Sequence, residues 1–245
     1  MPGVARGMVK HQLEGMRLDA GMHGITSKEN WIAELPPVVA AAIHARMTTQ
    51  AYAAGEPVKE AGEAPSRMHQ LESGYVKLIG HLEDGRQQII TIYSPGNCFS
   101  ETAVIARRPY HHTTQALTDC RVRVLAAEDF WDLYRTHPEI PETLCRKFAG
   151  SISRQMASRD MRANHRLGKR IALLFESLAE RCGEDRVGAS CTISVPITQS
   201  DIGDHFDVTR QSVQREITAL KAAGILDKHM GRWIIRDLGK LSRVV

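Results

Sequence analysis

The chain has 245 residues, which is enough for one large domain or two ordinary domains with buried cores. With 42% hydrophobic and 24% charged residues, its composition is that of a soluble globular protein and excludes an intrinsically disordered chain. The formal net charge of +4 is a mild excess that is compatible with an anionic partner but does not require one.

The cysteines and the N-terminal residues bear on the cellular compartment. The five cysteines are widely spaced and form no C-x-x-C pair or zinc-finger spacing with histidine, so we expect free thiols. The longest apolar run near the N-terminus, residues 36–43, is far shorter than the roughly 20 residues of a membrane span. Residues 1–25 lack the apolar centre of a signal peptide. We therefore expect a cytoplasmic protein with no membrane partner.

The N-terminal part predicts a tail followed by two short helices. Residues 1–26 contain five glycines and scattered charges without a sustained period, which indicates a mobile tail, although an induced helix stays open. Ser27 can cap a helix whose apolar residues include Trp31, and a second short helix is predicted over residues 38–47. We expect both helices to cover the domain that follows.

Residues 48–127 predict a β-rich domain. Short alternating runs such as 75–79 and 88–93 are separated by turn signals about 8 to 12 residues apart, which is typical of a sandwich or a jelly-roll barrel. The segment 83–85 has the composition of a hairpin tip. The glycines that mark the turns are Gly55, Gly62, Gly74, Gly85 and Gly96.

After Glu128 the pattern becomes helical, first over residues 130–134 and then in a long helix that opens at Pro138 and Pro141 and ends near Asn164. Its stripe is apolar at first and polar later: Leu144, Phe148, Ile152, then Gln155 or Met156, Arg159 and Arg162. Such a stripe is most simply buried against a second copy, so we expect a two-fold homodimer. The alternative is packing against the barrel within one chain.

Residues 146–170 contain eight basic residues against one acid, Asp160, for a local net charge of +7. A charge run is usually only a solvated face. In a dimer, however, this much like charge repels itself, so an anionic ligand or a DNA phosphate nearby would be favourable.

The C-terminal part predicts a second, smaller domain. An amphipathic helix is expected over residues 170–182, a loop over 183–189 and a strand over 191–195. These elements precede a segment with the pattern of a helix-turn-helix.

Two capping signals define that helix-turn-helix. Thr198 and Asp201 have the spacing of a capping box, which predicts a first helix about 8 residues long. Residues 207–208 make the turn, and Thr209 can cap the second helix. Gly224 is expected to end that helix. Its inward stripe is Val213, Ile217, Leu220 and Ile225.

The outward face of the second helix carries the side chains that suit base edges. Arginine pairs bidentately with guanine and glutamine with adenine, and such groups act at the helix N-terminus. The residues on this face are Arg210, Gln211, Gln214, Arg215 and Thr218, with Thr209 and Ser212 at the helix start. The alternative interpretation is a plain two-helix packing element with a solvated polar face. The absence of an acid among the five outward positions favours DNA binding.

A small β-wing is predicted after the second helix. Residues 226–235 have the pattern of a hairpin that turns at residues 230–231. This places Lys228, His229 and Arg232 where they can meet phosphates. The candidate wing contacts are Lys228 and Arg232.

The order of a small barrel, a long helix and a winged helix-turn-helix resembles the Crp/Fnr superfamily of bacterial transcription regulators over roughly residues 30–236. The stretches that carry the resemblance are 52–58, 62–78, 95–101, 116–120 and the 209–215 helix start. It implies an α+β fold with an effector domain over 27–137, a dimerisation helix over 138–166 and a winged helix-turn-helix domain over 167–245. It also implies a homodimer on a near-palindromic promoter site, with double-stranded DNA and RNA polymerase as partners.

The resemblance places an effector pocket in the barrel, where this sequence departs from the cyclic-nucleotide branch. Family members have a Gly-Glu pair near the ribose and an Arg-Ser pair at the cyclic phosphate. Here residues 100–101 are Ser-Glu, and residues 110–112 are Tyr-His-His. A neutral histidine supplies less than a fixed cation, which disfavours cyclic AMP. The pocket candidates are Ser100, Glu101, Tyr110, His111, His112, Gln155 and Arg159, and Arg107 or Arg108 belong by spacing to the preceding hairpin.

The cysteines, the histidines and the sequence motifs also bear on other possible cofactors and functions. The iron-sulfur branch needs N-terminal cysteines, and the first cysteine here is Cys98, so a cluster is disfavoured. Cys98, His111 and His112 leave a haem- or metal-dependent sensor open, although a lone cysteine is more often a small core residue. The chain lacks G-x-S-x-G, H-E-x-x-H and a phosphate-binding glycine loop, so a metal-dependent hydrolase or nuclease is the weaker alternative. We expect no enzyme.

Overall fold

The computed structural model describes residue 25, residues 29–83 and residues 85–244, without the side chains of residues 157–164. The predicted tail over 1–26, apart from Ile25, and the Ser27 cap lie outside the described residues. Within the described part of the chain, no helix is both long enough and apolar enough to cross a membrane.

The first described elements are a 3-10 helix, Trp31–Glu34, and the helix α1, Pro37–Ala45. Asn30 caps the 3-10 helix because its side-chain oxygen accepts a hydrogen bond from the Ala33 amide at 3.2 Å. Trp31 is buried in the core beneath these helices, as the apolar pattern predicts.

Eight strands form the next domain. They are β1 Thr48–Tyr52, β2 Pro57–Lys59, β3 Arg67–Ser73, β4 Val76–His81, β5 Gln87–Tyr93, β6 Cys98–Phe99, β7 Thr113–Ala116 and β8 Cys120–Ala126. They pair antiparallel in two sheets, β1-β8-β3-β6 and β2-β7-β4-β5. This order is that of a jelly roll, so the predicted barrel is confirmed. Gly85, with φ of +83°, lies in the predicted turn between β4 and β5.

Two helices flank the barrel, and one was not predicted. Helix α2, Glu101–Ala106, connects β6 to β7, and helix α3, Ala127–Thr136, follows β8. The expectation that Arg107 and Arg108 belong to a hairpin is wrong. Arg107 ends α2 in a left-handed conformation with φ of +52°, and six helical residues are too few to show a clear period.

The long helix α4, Glu139–Asn164, has the predicted bounds, but its stripe is divided between two environments. Leu144 is buried in the same core cluster as Trp31, and Phe148 packs against that cluster. The interpretation of Leu144 as a residue of the dimer stripe is therefore wrong, because the chain covers it itself, whereas Phe148 is only half-buried. Ile152 and Met156 remain 54% and 63% exposed.

The helices of the C-terminal domain are α5 (Leu167–Cys182), α6 (Gln199–Phe206), α7 (Arg210–Ala222) and α8 (Leu238–Val244). Its strands are β9 (Gly183–Val187), β10 (Ser190–Ile193), β11 (Leu226–His229) and β12 (Arg232–Ile235). The strand order is β11-β12-β10-β9. The loop expected over 183–189 is wrong, because β9 pairs with β10 there. Its residues are almost all exposed, so no alternation marks the strand. Helix α8 was not predicted.

The two domains share one hydrophobic core. Ile89 and Ile92 of β5, together with Ile25, belong to the same buried cluster as the apolar residues of α5, α6 and α7. His205 Nδ1 lies 3.1 Å from the Ile89 carbonyl oxygen, and the Tyr75 hydroxyl lies 2.6 Å from the Ser194 hydroxyl. The β4-β5 hairpin thus packs against the helix-turn-helix and fixes its orientation in this structure.

Candidate functional site

Both helices of the helix-turn-helix start at the predicted caps. The Thr198 hydroxyl accepts a hydrogen bond from the Asp201 amide at 3.1 Å, and the Asp201 carboxylate accepts one from the Thr198 amide at 2.7 Å. The Thr209 hydroxyl accepts a hydrogen bond from the Ser212 amide at 3.2 Å. These bonds satisfy donors that a helix start otherwise leaves without partners. Both predicted caps are confirmed.

The turn between α6 and α7 depends on a close approach of the backbone. A Cβ atom at Gly203 would lie 2.8 Å from the Val208 carbonyl oxygen, so a larger residue would push the turn away from α6. Asp207 ends α6 in the left-handed region, with φ of +55°. These two residues set the angle at which α7 leaves the turn.

Helix α7 separates an apolar face from a polar face. Val213, Ile217 and Leu220 are buried against α5 and α6, as predicted. The opposite face presents Arg210, Gln211, Gln214, Arg215 and Thr218 to solvent. Within the described chain, the one ion pair on this face joins Arg215 to Glu216, at 3.2 Å and with the arginine side chain 77% exposed. A pair this exposed leaves the arginine available to a ligand.

The wing is the predicted hairpin, and it turns at Met230 and Gly231 with positive φ at both residues. Lys228 Nζ lies 4.7 Å above the ring of Trp233, which anchors the wing in the core. Arg232 forms an ion pair with Glu184 of β9 at 2.7 Å. A phosphate at Arg232 must therefore compete with that carboxylate.

The barrel contains a cavity of about 360 Å³ between α2 and the sheet β2-β7-β4-β5. Four of the predicted pocket residues line it: Ser100, Tyr110, His111 and His112. Tyr110 is buried, and its hydroxyl donates to the Arg67 carbonyl at 2.7 Å, whereas His111 is exposed at the mouth. A cavity of this size can hold a small organic ligand.

Glu101 does not line the cavity, which corrects the sequence interpretation. Its carboxylate accepts a hydrogen bond from Trp31 Nε1 at 2.7 Å and one from Lys147 Nζ at 2.8 Å. Lys147 also forms an ion pair with Glu29 at 3.3 Å. Trp31 and Lys147 lie 70 and 46 residues from Glu101 in sequence, so no local pattern indicates these contacts.

The ion network around Lys147 links the N-terminal segment, α2 and α4. Burial alone would lower the pKa of Lys147, but Glu101 and Glu29 hold that pKa above its ordinary value. Burial would raise the pKa of Glu29, but Lys147, Ser151 and Arg154 hold it below its ordinary value. Lys147 and Glu29 are therefore both charged at neutral pH.

The other two pocket candidates do not reach the cavity in the described chain. Gln155 is exposed on α4 and is not among the lining residues. The side chain of Arg159 lies outside the described residues. Arg108, which the sequence assigned to a hairpin, lines the cavity at its exposed mouth, while the Arg107 guanidinium lies 5.2 Å from the centre of the Trp131 ring.

Lys59 was missed by the sequence interpretation, although it lines the cavity. It is 7% exposed, donates to the His112 carbonyl oxygen at 2.5 Å and lies 4.7 Å from the centre of the Tyr110 ring. Burial lowers its pKa to about 8, although Glu63 acts in the opposite direction. Its position next to Val58 in a short strand made it look like an ordinary surface lysine.

Two rings that line the cavity, Tyr93 and Phe99, stack with the buried ring of His69. Phe99 lies between Tyr93, at 4.9 Å, and His69, at 5.0 Å, with nearly parallel ring planes. His69 is fully buried, and burial, with smaller effects of Lys59 and Arg67, lowers its pKa to about 3. The imidazole is therefore neutral at physiological pH.

The residues that left a metal or haem site open do not converge. Cys98 is buried with its sulfur near the Asn30 side chain and the Gly96 carbonyl, and it does not line the cavity. Burial raises the pKa of the Cys98 thiol, which disfavours the thiolate that binds iron. Within the described residues, no group of three or more His, Cys, Asp or Glu side chains is placed to hold a metal ion.

Comparison with known families assigns both parts of the chain. A family model described as Cyclic nucleotide-binding domain matches residues 49–137, and one described as Crp-like helix-turn-helix domain matches residues 169–244. Together they cover the barrel with α3 and nearly the whole C-terminal domain.

Individual relatives extend over most of the chain. This chain is 23% identical over 222 residues to a CRP-like cAMP-activated global transcriptional regulator of Mycobacterium tuberculosis, and the match covers 91% of this chain and 99% of that protein. It is 28% identical over 196 residues to the transcriptional regulator LdrP of Thermus thermophilus, covering 78% and 94%. The structure of FixK2 from Bradyrhizobium japonicum superposes with a TM-score of 0.71 at 21% identity, covering 81% and 96%, which shows a common fold.

Proposed function

This chain belongs to the Crp/Fnr family of transcription regulators, and we propose that it binds a near-palindromic DNA site as a homodimer through α7. We take residues 27–137 as the effector domain, 138–166 as the dimerisation helix and 167–245 as the DNA-binding domain. The proposal assigns the chain a regulatory role rather than a catalytic one.

The observation that carries the proposal is the exposed face of α7. A capped helix that buries Val213 and Ile217 holds its start rigidly, with Arg210, Gln211 and Arg215 directed to solvent. Such a helix start can enter the major groove, where arginine and glutamine distinguish base pairs. We assign base contacts to Arg210, Gln211, Gln214 and Arg215, and backbone contacts to Thr209, Ser212, Lys228 and Arg232.

The exposed part of α4 favours dimerisation with a second copy of the chain. Ile152 and Met156 lie one turn apart on the helix, and both are more than half exposed. Residues spaced this way form one face, and burial of such a face in a symmetric dimer removes it from water. The two copies of α7 would then lie about 34 Å apart, one turn of the DNA helix.

The cavity supports control by an effector other than cyclic AMP. Glu101, the acid that the cyclic-nucleotide branch places near the ribose, is bonded to Trp31 and Lys147. Residues 110–112 supply no arginine for a cyclic phosphate. We further propose that the regulator acts in the cytoplasm and contacts RNA polymerase, as its family membership suggests.

The function is tested by selection of preferred sites from a library of random DNA duplexes with the full-length protein. We expect a near-palindromic site, a dimer in light scattering, and salt-dependent specific binding measured by fluorescence anisotropy. As a control, replacement of the exposed Arg135 in the barrel domain, which is outside the proposed DNA-binding surface, should leave affinity for the site unchanged. A monomer that binds the selected site as a single unit would contradict the proposal.

The effector assignment has its own test. Cyclic AMP is titrated by calorimetry while affinity for the selected site is measured in parallel. We expect neither micromolar binding nor a change in DNA affinity. Micromolar binding together with a gain of about tenfold or more in specific affinity would return the protein to the cyclic-nucleotide branch.

A further inference from the structure

Ile25 is fully buried where the two domains meet, although it lies outside residues 49–137 and 169–244, which the two family models match. It belongs to the core cluster that contains Ile89 and Ile92 of β5 and the apolar residues of α5, α6 and α7. An apolar side chain that leaves water in such a cluster stabilises the contact between the elements around it. Ile25 is therefore part of the core that joins the barrel to the DNA-binding domain.

The backbone of Ile25 is bonded to the barrel. Strand β5 is the last strand of the sheet β2-β7-β4-β5, so among the described strands it has a neighbour on one side only. The Ile25 carbonyl oxygen accepts hydrogen bonds from the Ile92 amide, at 2.6 Å, and from the Thr91 hydroxyl, at 2.9 Å. These bonds satisfy donors of an edge strand and hold Ile25 in place beside β5.

Glu29, four residues further along the chain, is bonded to the long helix α4. Its carboxylate accepts hydrogen bonds from the Ser151 hydroxyl at 2.7 Å and from the Arg154 guanidinium at 2.6 Å. It also forms an ion pair with Lys147 at 3.3 Å. Ser151 and Arg154 flank Ile152, a residue of the proposed dimer face, on the same helix. Residues before α1 thus contact both the proposed dimer helix and the core of the DNA-binding domain.

The position of Ile25 leaves the polar face of α7 open. Val213 and Ile217, on the inward face of α7, belong to the same core cluster as Ile25. Arg210 and Arg215, on the opposite face, are exposed. Ile25 therefore supports α7 through its apolar side and does not cover the residues that we propose to contact bases.

We propose that Ile25 is a positioning residue for DNA recognition, which holds the helix-turn-helix against the barrel in the orientation that lets both copies of α7 bind one complete site. This inference rests on the proposed function, because it concerns the same DNA-binding surface. In a dimer of fixed geometry, binding of one α7 raises the effective concentration of the other at the second half-site. A loosened domain lowers that effective concentration, whereas the contacts of each α7 with its own half-site stay the same.

The role is tested with Ile25→Ser in the full-length protein, by fluorescence anisotropy on the complete selected site and on a single half-site. We expect the affinity for the complete site to fall about tenfold and the affinity for the half-site to change less than about twofold. Ile25→Val, which keeps the branched apolar side chain, should retain the affinity of the wild type. Val38→Ser, at a residue of α1 that is 76% exposed, is the control and should change neither affinity. An equal loss on both duplexes, or an unchanged affinity of Ile25→Ser for the complete site, would overturn the proposal.

Hydrogen exchange tests the position of Ile25 without DNA. The Ile92 amide of the wild type should be protected, because it donates to the Ile25 carbonyl oxygen. In Ile25→Ser, β5 and α6 should exchange faster, whereas β8, whose Val122 and Val124 belong to a different core cluster, should not change. If Ile25→Ser does not fold, the wild type still decides the matter, since exchange of its Ile92 amide at the rate of an unstructured peptide would overturn the proposal.

The two readouts separate this inference from the proposed function. A wild type that selects no DNA site contradicts the proposed function, and faster exchange of β5 and α6 in Ile25→Ser would still show that Ile25 holds the two domains together. A wild type that binds the complete site as a dimer, with an Ile25→Ser variant of equal affinity, overturns the inference and leaves the proposed function standing.

Discussion

The helix-turn-helix surface and the barrel cavity place their polar groups in opposite environments. On α7, Arg210 and Gln211 are exposed and are positioned by a helix that Thr209 caps. In the barrel, Lys59 is buried, and Glu101 is held by residues from two distant segments. Exposed groups remain available for ligands and contribute little to folding. Buried groups instead contribute to stability through the partners that they share.

The buried ion network should show the greatest loss of stability on substitution. Replacing Lys147 by Met leaves Glu101 and Glu29 without their shared cation, at side-chain exposures of 2% and 20%. Breaking a buried pair costs about 3 to 5 kcal/mol. We expect a loss of unfolding free energy of this size in urea denaturation.

A neighbouring pair on the same helix is the control. Arg146 forms an i,i+4 ion pair with Glu142 at 2.6 Å, but both side chains are more than half exposed. Arg146→Met should cost no more than about 0.5 kcal/mol. Equal losses for Arg146→Met and Lys147→Met would remove the contrast between exposed and buried polar groups.

The second prediction separates the two parts of the DNA-binding surface. Arg210→Ala should cost about 1 to 3 kcal/mol of specific binding and relax the preference at one base pair, because the arginine starts α7. Arg232→Ala should weaken binding to all sequences alike and flatten the salt dependence. Anisotropy titrations against selected and random duplexes measure both effects. Equal losses on both duplexes for both variants would show that the roles are assigned wrongly.

The third prediction concerns pH and Lys59. Its folded-state pKa of about 8 lies below the ordinary 10.5, so above pH 8 the folded state releases a proton that the unfolded state keeps. Stability should therefore rise between about pH 8 and 10.5 relative to Lys59→Met. Urea denaturation of both proteins across this pH range measures the effect.

The groups that face Lys59 should not obscure this dependence. Burial, followed by His111, Lys59 and His81, lowers the pKa of His112, so this ring is already neutral at pH 8. Burial raises the pKa of Tyr110, which delays its ionisation. An identical pH profile of stability for wild type and Lys59→Met would contradict the account.

The smallest expected effect concerns the wing. Glu184→Gln removes the carboxylate that competes for Arg232, at a distance of 2.7 Å. Because the pair is exposed, stability should change by less than about 1 kcal/mol. Affinity for random DNA should rise about threefold as Arg232 becomes available to phosphates. Glu128→Gln, at an exposed acid of the barrel domain, should change neither quantity.

Local interactions explain why the helix-turn-helix could be predicted from the sequence. Each cap joins residues three positions apart, Thr198 with Asp201 and Thr209 with Ser212, so their spacing is visible in the chain. The jelly roll was predictable from its turn signals. The strand β9 was not, because its exposed residues do not alternate in polarity.

Long-range contacts explain why the cavity was predicted only in part. Lys59 meets the His112 carbonyl across 53 residues, and Glu101 meets Trp31 across 70. Neither contact leaves a local period. The α4 stripe shows the same limit, because helical spacing identified Leu144 as inward-facing but not whether its partner was this chain or a second copy.

The most direct test of the central claim changes the spacing within the selected DNA site. Insertion of about five base pairs between the half-sites rotates one of them by half a turn, to the opposite side of the duplex. If two copies of α7 bind as a rigid dimer, anisotropy should show affinity falling to the level of a single half-site, and an insertion of about ten base pairs should restore the helical phase. Undiminished affinity for the five-base-pair insertion would contradict recognition of DNA by a two-fold dimer through α7.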